Sequence, residues 1–405
     1  MPGVVERLRA KAEEEASGIA EVIKLVLEEG IFVDEEFDSE DGTENALEEA
    51  RSFIRLLKSS SGISRWSSKS DAIVDMHFRS GVETRLRLQN EPCVLRNPES
   101  LCYMTSVLEM LSLVRPFVQR VVQVNETDEA LLKALALVFA VKAKGLQKDT
   151  EVETIFDLFK QEFRSDYVSV EISKDAASYL ADLIKTFRKY GYQELMEGFS
   201  ATTRNSLGKT ELLVTLPVSL RRGHLSEALA DFFIGQKLDD GTALTAKMLT
   251  VPPYLMCHLK RFRLDTSSYS KDNSRFDYDE VIDFAPFVAT PSAPSYKYRL
   301  AGVIVHEGSV TDGHYFNYSK YSSANGEGAW YCINDTTKQY ISDFSEVWRR
   351  TCGGESDGEG SAYMLLYESE TAAIGHHEVV LSEHLSTLVE DANDELCVDS
   401  LLGYP

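Results

Sequence analysis

Cys102 stands where a short polar stretch, Asn97-Pro98-Glu99-Ser100, gives way to an apolar-periodic run (Met104, Val107, Leu108, Leu111). The helical spacing of that run predicts a helix whose first turn carries the thiol. At a helix N-terminus the unbonded N–H groups and the dipole favour negative charge, which biases the thiol towards a nucleophilic thiolate near neutral pH. Such a nucleophile needs a base. His314 lies 212 residues downstream, within Gly313-His314-Tyr315, and Trp330-Tyr331-Cys332-Ile333-Asn334-Asp335 follows it. A thiol, an imidazole and an amide or carboxylate to orient the imidazole are the parts of a Cys-His-Asn/Asp centre, which forms across large sequence separations. The ordering alone discriminates little: six cysteines and eight histidines allow many accidental pairs, and a lone buried cysteine is commonly an inert small hydrophobe.

The elements that must position these groups divide into helices first and strands later. From 97 to 200 the chain reads as mainly helical: the Cys102 helix is expected to end near Pro116, and further helices are expected at 128–144, closing at Gly145, at 152–163 and at 173–187. From 210 onward, short aromatic or β-branched runs predict strands, at Leu212/Val214/Leu216, 254–262, 298–305, 315–318, 330–333 and 362–367. Without regular βα alternation, this order predicts an α+β fold with an antiparallel sheet, His314 on the sheet facing Cys102 across a cleft.

Outside this region the chain is acidic and polar. Residues 4–29 carry helical periodicity up to Gly30 and read as one or two amphipathic helices, with docking to a protein partner as one role. The acidic stretch 34–50 reads as solvated, the serine-rich 59–70 as a linker, and 73–78 and 82–88 as two short strands. The tail, 369–405, is acidic; Val379, Val380, Leu381, Leu385, Leu388 and Val389 suggest one amphipathic helix there. The boundaries expected are thus an N-terminal extension at 1–90, a catalytic domain at 91–368 and a C-terminal extension at 369–405.

A hydrophobic content of 43% supports a packed core, and the net charge of −23 argues against nucleic acid as the main ligand, because phosphate contacts need clustered Lys and Arg. An acidic surface suits a basic partner patch, although it also serves solubility alone. No apolar run approaches a membrane span, and the N-terminus lacks a secretory core. A soluble intracellular protein, cytoplasmic or nuclear and without a membrane partner, is expected. The cysteines are dispersed with no C-x-x-C pair, which gives no support to a zinc ribbon or a disulfide framework.

Five segments occur in a diagnostic order: Asn97 to Ser106 around Cys102-Tyr103-Met104; His258-Leu259-Lys260-Arg261-Phe262; His306-Glu307-Gly308 with Gly313-His314-Tyr315 and Tyr318; Trp330 to Asp335; and Ala362-Tyr363-Met364-Leu365-Leu366-Tyr367. In these the chain resembles the ubiquitin-specific proteases, papain-like deubiquitinases, over about 91 to 368. The resemblance implies a helical thumb lobe, a sheet palm, an abbreviated fingers region within 191–253, and no metal or organic cofactor. It implies ubiquitin and ubiquitinated proteins as partners and hydrolysis of (iso)peptide bonds at the C-terminal Gly-Gly of ubiquitin.

By the same resemblance Cys102 is the nucleophile, His314 the base, Asn334 the residue that orients it with Asp335 beside it, and Asn97 an oxyanion donor. Asp175 matches a position that pairs with the arginine-bearing ubiquitin tail; a helix-capping acid is the plainer reading. His306 and Gly313 match a narrow tail channel. Tyr315 matches the same motif and suits packing equally. The chain departs from the family at Pro98-Glu99-Ser100-Leu101, where a glycine-containing segment is usual. A proline, an added negative charge and a lost glycine beside the oxyanion site keep two alternatives open: a catalytically weak ubiquitin-binding scaffold, and a protease for another ubiquitin-like modifier.

Overall fold

The computed structural model describes residues 92–97, 100–124, 128–163, 175–237, 243–264, 269–310, 312–322, 328–354, 360–373 and 378–401. The features expected at 4–29, 34–50, 59–70, 73–78 and 82–88 lie outside them. The chain forms two compact units, one of 94–143 with 149–385, the other including 144–148 and 386 onward.

In the larger unit β1 (Val94–Arg96) precedes the helices α1 (Cys102–Ser112), α2 (Arg115–Val121) and α3 (Ala130–Lys144). β2 (Asp149–Glu151) pairs in parallel with β1 and leads into α4 (Glu153–Phe163) and α5 (Ala176–Lys189). Every residue of α1 from Cys102 to Leu111 is buried, so this helix runs through the core rather than over it. It stops at Ser112, four residues before the expected end, and Pro116 opens α2 instead. A proline lacks only an N–H that the first turn leaves unbonded anyway. Phe117 of α2 packs edge-on against Phe139 of α3 and Phe199 and tilts onto Phe187 of α5, which joins these helices into one lobe.

The strands follow. β3 (Ala201–Asn205), β4 (Thr210–Leu213) and β8 (Ala246–Met248) form a small antiparallel sheet, and β6 (Gln236–Lys237) pairs with β7 (Ala243–Leu244). α6 (Leu225–Ile234) lies between them in sequence. The expected single strand at Leu212/Val214/Leu216 is two: β4 ends at Leu213, and β5 (Thr215–Val218) joins the large sheet. Pro217 is tolerated there because β5 is an edge strand. The large sheet also holds β9 (Tyr254–Leu259), β12 (Val281–Asp283), β13 (Lys297–Gly308), β14 (Gly313–Ser322), β15 (Gly328–Asn334), β16 (Thr337–Ile341) and β17 (Ser361–Ser369); β10 (Phe262–Leu264) and β11 (Tyr269–Lys271) form a separate hairpin. Its order is β16-β15-β14-β13-β17-β9-β5, with β12 on β13, and its pairs are antiparallel except β5 with β9. β17 is buried on both faces, which is why 362–367 reads as a continuous apolar run rather than an alternating one. The fold is α+β and papain-like, with α1 packed against β14.

α7 (Phe344–Thr351) and the short α8 (Glu370–Ala373) complete the unit before α9 (Glu383–Leu401). The tail helix thus begins after Val379, Val380 and Leu381, which were expected inside it. Those residues lie outside any helix or strand, and Gln119 of α2 pairs with both backbone groups of Val380, its Nε2 donating to the carbonyl at 2.8 Å and its Oε1 accepting from the N–H at 2.9 Å. In the smaller unit Asn393 donates to the Lys144 carbonyl and accepts from the Leu146 N–H.

Candidate active site

Cys102 is the first residue of α1 and is buried. The turn before it is built by Asn97, whose Oδ1 accepts the Leu101 N–H at 2.8 Å, while the Leu101 carbonyl accepts from Met104 and Thr105. Ser100 takes φ +56°, so the left-handed backbone that the missing glycine would have favoured is adopted by a serine, at a cost of about 1–2 kcal/mol.

His314, the second residue of β14, meets the Cys102 thiol in a hydrogen bond. Its Nε2 lies 2.7 Å from Asn334 Oδ1 at the end of β15, so Nε2 carries the hydrogen and the other ring nitrogen serves the thiol. Asp335 follows with φ +51°, in the tight turn between β15 and β16. Its Oδ2 is 3.8 Å from His314 Nε2, and its Oδ1 accepts from Asn97 Nδ2 at 2.8 Å. One chain of contacts therefore links Asn97, Asp335, His314 and Cys102.

The electrostatics favour an ion pair. Burial opposes the Cys102 thiolate, but the hydrogen bond from His314, the Tyr315 backbone N–H and the imidazolium charge outweigh it and lower the thiol's pKa; Asp335 works weakly against them. The hydrogen bond to Cys102 raises His314 to about 9 against its own burial, helped by Asn334 and by the charges of Cys102 and Asp335.

The residues expected to bind substrate sit beside this centre, and most are engaged by their own neighbours. Asp175 caps α5, its Oδ1 accepting the Ser178 N–H at 2.7 Å, while Oδ2 accepts the hydroxyls of Tyr315 at 3.1 Å and Tyr363 at 2.5 Å. His306 is 2% exposed, enclosed by the rings of Phe262, Tyr315 and Tyr363. Burial and the Lys271 ammonium push its pKa down to about 3, so it is neutral. A Cβ on Gly313 would overlap His306 Nε2 and come within 2.6 Å of the Ser309 carbonyl oxygen: the space the missing side chain leaves is taken by His306 itself. His258, on β9, is likewise held neutral by burial and by Lys260, near 4. Tyr363 carried no signal as a site residue in the sequence, because a tyrosine inside an apolar strand reads as core. Among the described residues no group of three or more His, Cys, Asp or Glu side chains is placed to hold a metal, and no helix is long and apolar enough to cross a membrane.

Residues 93–367 match the family model described as ubiquitin carboxyl-terminal hydrolase. The chain belongs to that family. The matched span runs from the residue before β1 into β17 and contains Cys102, His314, Asn334 and Asp335. Among its relatives, the probable ubiquitin carboxyl-terminal hydrolase FAF of Drosophila melanogaster is 30% identical over 42% of this chain and 7% of its own length. Ubiquitin carboxyl-terminal hydrolase 23 of Arabidopsis thaliana is 34% identical over 35% of this chain and 16% of its own. The probable ubiquitin carboxyl-terminal hydrolase 16 of Schizosaccharomyces pombe is 22% identical over 70% of this chain and 68% of its own. The chain thus spans a small part of the first two and about two thirds of the third.

Proposed function

We propose that the protein is a cysteine-dependent deubiquitinase that hydrolyses the (iso)peptide bond after the C-terminal Gly-Gly of ubiquitin, acting on ubiquitinated proteins in the cytoplasm or nucleus. The observation that carries this reading is the bonded series Cys102, His314, Asn334 inside a domain of the ubiquitin carboxyl-terminal hydrolase family. Cys102 attacks the scissile carbonyl as thiolate. His314 delivers its proton to the leaving amine and then takes one from the water that hydrolyses the thioester, while Asn334 keeps the ring in the required tautomer. Asn97 Nδ2 carries two hydrogens; one is committed to Asp335, and the other is available to the oxyanion alongside the Cys102 backbone N–H. Asp335 in this reading holds the donor as well as adding negative charge near the imidazolium. Asp175, buttressed by Tyr315 and Tyr363, offers its carboxylate to an arginine of the ubiquitin tail, and His306 and Gly313 line the channel that the tail follows. The N-terminal segment at 4–29 is proposed to dock a protein partner.

The test is to incubate the protein with ubiquitin bearing a thiol-reactive electrophile at its C-terminus and read the adduct by intact mass. An adduct on the native protein and none on Cys102→Ala is the expected result. No adduct from folded protein overturns it and shifts weight to a ubiquitin-binding scaffold, the reading favoured by the left-handed Ser100 beside the oxyanion site. Adducts with electrophiles on other Gly-Gly modifiers, and none with ubiquitin, would reassign the substrate.

A further inference from the structure

Two polar ties cross the seam between α1 and β14, the elements that carry Cys102 and His314. Asn317 is 2% exposed, and its Nδ2 donates to the Ser106 carbonyl at 3.0 Å. Further along the strand, the Tyr321 hydroxyl donates to Glu109, whose other carboxylate oxygen accepts from Lys142 Nζ of α3 at 2.7 Å. Glu109 lies seven residues after Cys102, on the same face of α1, and is 1% exposed. A buried ion pair of this kind adds little net stability over an apolar pair of the same shape, but losing one partner strands a charge. Its effect falls on which arrangement is allowed. A small cavity lined by Thr105, Ser106, Glu109, Asn317 and Asp335, together with the apolar Leu95, Phe316 and Ile333, lies in the same seam.

We propose that Asn317 and the Glu109–Tyr321 pair are positioning residues that fix the register of α1 on β14, so that Cys102 and His314 stand bonded before any substrate arrives. None of the three touches the reacting groups. The groups that face the Cys102 thiol are His314 and Tyr315 from β14, Asp335 from the turn after β15 and Tyr103 from its own helix. If α1 drifts from β14, the imidazolium and the Tyr315 N–H recede while burial continues to oppose the thiolate. Loosening either tie therefore raises the pH at which Cys102 becomes reactive.

The inference rests on the deubiquitinase reading only for its turnover arm. The full-length protein, Tyr321→Phe, Asn317→Ala and the double variant are compared in three ways: alkylation of Cys102 by iodoacetamide across pH, located by peptide mass; thermal midpoint; and kcat and KM on ubiquitin with a fluorogenic C-terminal amide. In each variant the alkylation midpoint is expected to rise by about 0.5–1 unit. kcat is expected to fall about five- to tenfold with KM within about twofold. A lowered thermal midpoint with an unmoved alkylation midpoint overturns the proposal and leaves these residues merely structural. Should Asn317→Ala fail to fold, Tyr321→Phe, which removes one oxygen, decides by itself. Should the unaltered protein not turn over ubiquitin, that reading falls, and the alkylation midpoint still decides this one.

Discussion

The proton on His314 sets the working range of the centre. Below the lowered pKa of Cys102 the nucleophile is a thiol, so activity rises with pH through that value. Above about 9, His314 loses the proton it must give to the leaving amine, so activity falls again. kcat/KM for ubiquitin substrates is therefore expected to be bell-shaped, with its alkaline limb near 9; Asn334→Ala, which frees the ring, is expected to lower kcat by about ten- to a hundredfold and move that limb down. An alkaline limb unchanged in Asn334→Ala would show that Asp335, and not Asn334, holds the imidazole. Gly313 belongs to the same scale. Gly313→Ala forces a methyl onto His306 and the Ser309 carbonyl, and a loss of about 1–3 kcal/mol is expected in denaturant titration. The thiol, imidazole and amide were legible in the sequence because few residue types do their chemistry and each sat in a distinctive local pattern. Asn317, Glu109 and Tyr363 were not, since a polar residue on a strand or helix reveals its burial only when the facing element is known.

At the level of elements, α5 begins on Asp175, and that single carboxylate caps the helix, accepts two tyrosine hydroxyls and faces the channel proposed for the ubiquitin tail. The roles separate by substitution. Asp175→Asn keeps an oxygen for the Ser178 N–H but turns an NH2 towards the buried hydroxyls of Tyr315 and Tyr363, and is expected to cost about 1–3 kcal/mol, whereas Asp175→Ala loses the cap as well, about 0.5–2 kcal/mol more. Both remove the charge, so both are expected to raise KM for ubiquitin; an unchanged KM in Asp175→Asn would confine the residue to capping. Helix and strand types were readable from periodicity, and their ends were not. Pro116 reads as a stop but serves as a start, and the break between β4 and β5 depends on which sheet each strand joins. The tail helix begins only after Val380, whose backbone Gln119, 261 residues earlier, claims.

Over the whole molecule the net charge of −23 suits the arginine-bearing ubiquitin tail proposed as substrate. Steering of that kind is screened by salt, so kcat/KM is expected to fall several-fold between low ionic strength and about 1 M, where the Debye length shrinks to about 3 Å, with kcat nearly constant. A flat salt profile would assign the acidity to solubility alone. The α+β class followed from the order of helices and strands, while the sheet's own order, in which β17 sits between β13 and β9, has no local signature. That order bears on how the chain comes off the ribosome. β17 is the strand that joins the two halves of the sheet, yet it is translated after every other strand described in it. At about 5–20 residues per second, the stretch between β9 and β17 takes on the order of 5–20 s to synthesise. Until β14 is made, a nascent chain holds the Cys102 helix with no strand to set its register, and after that the hairpin that carries His314 still lacks the central strand β17. The nucleophile is made early and armed late.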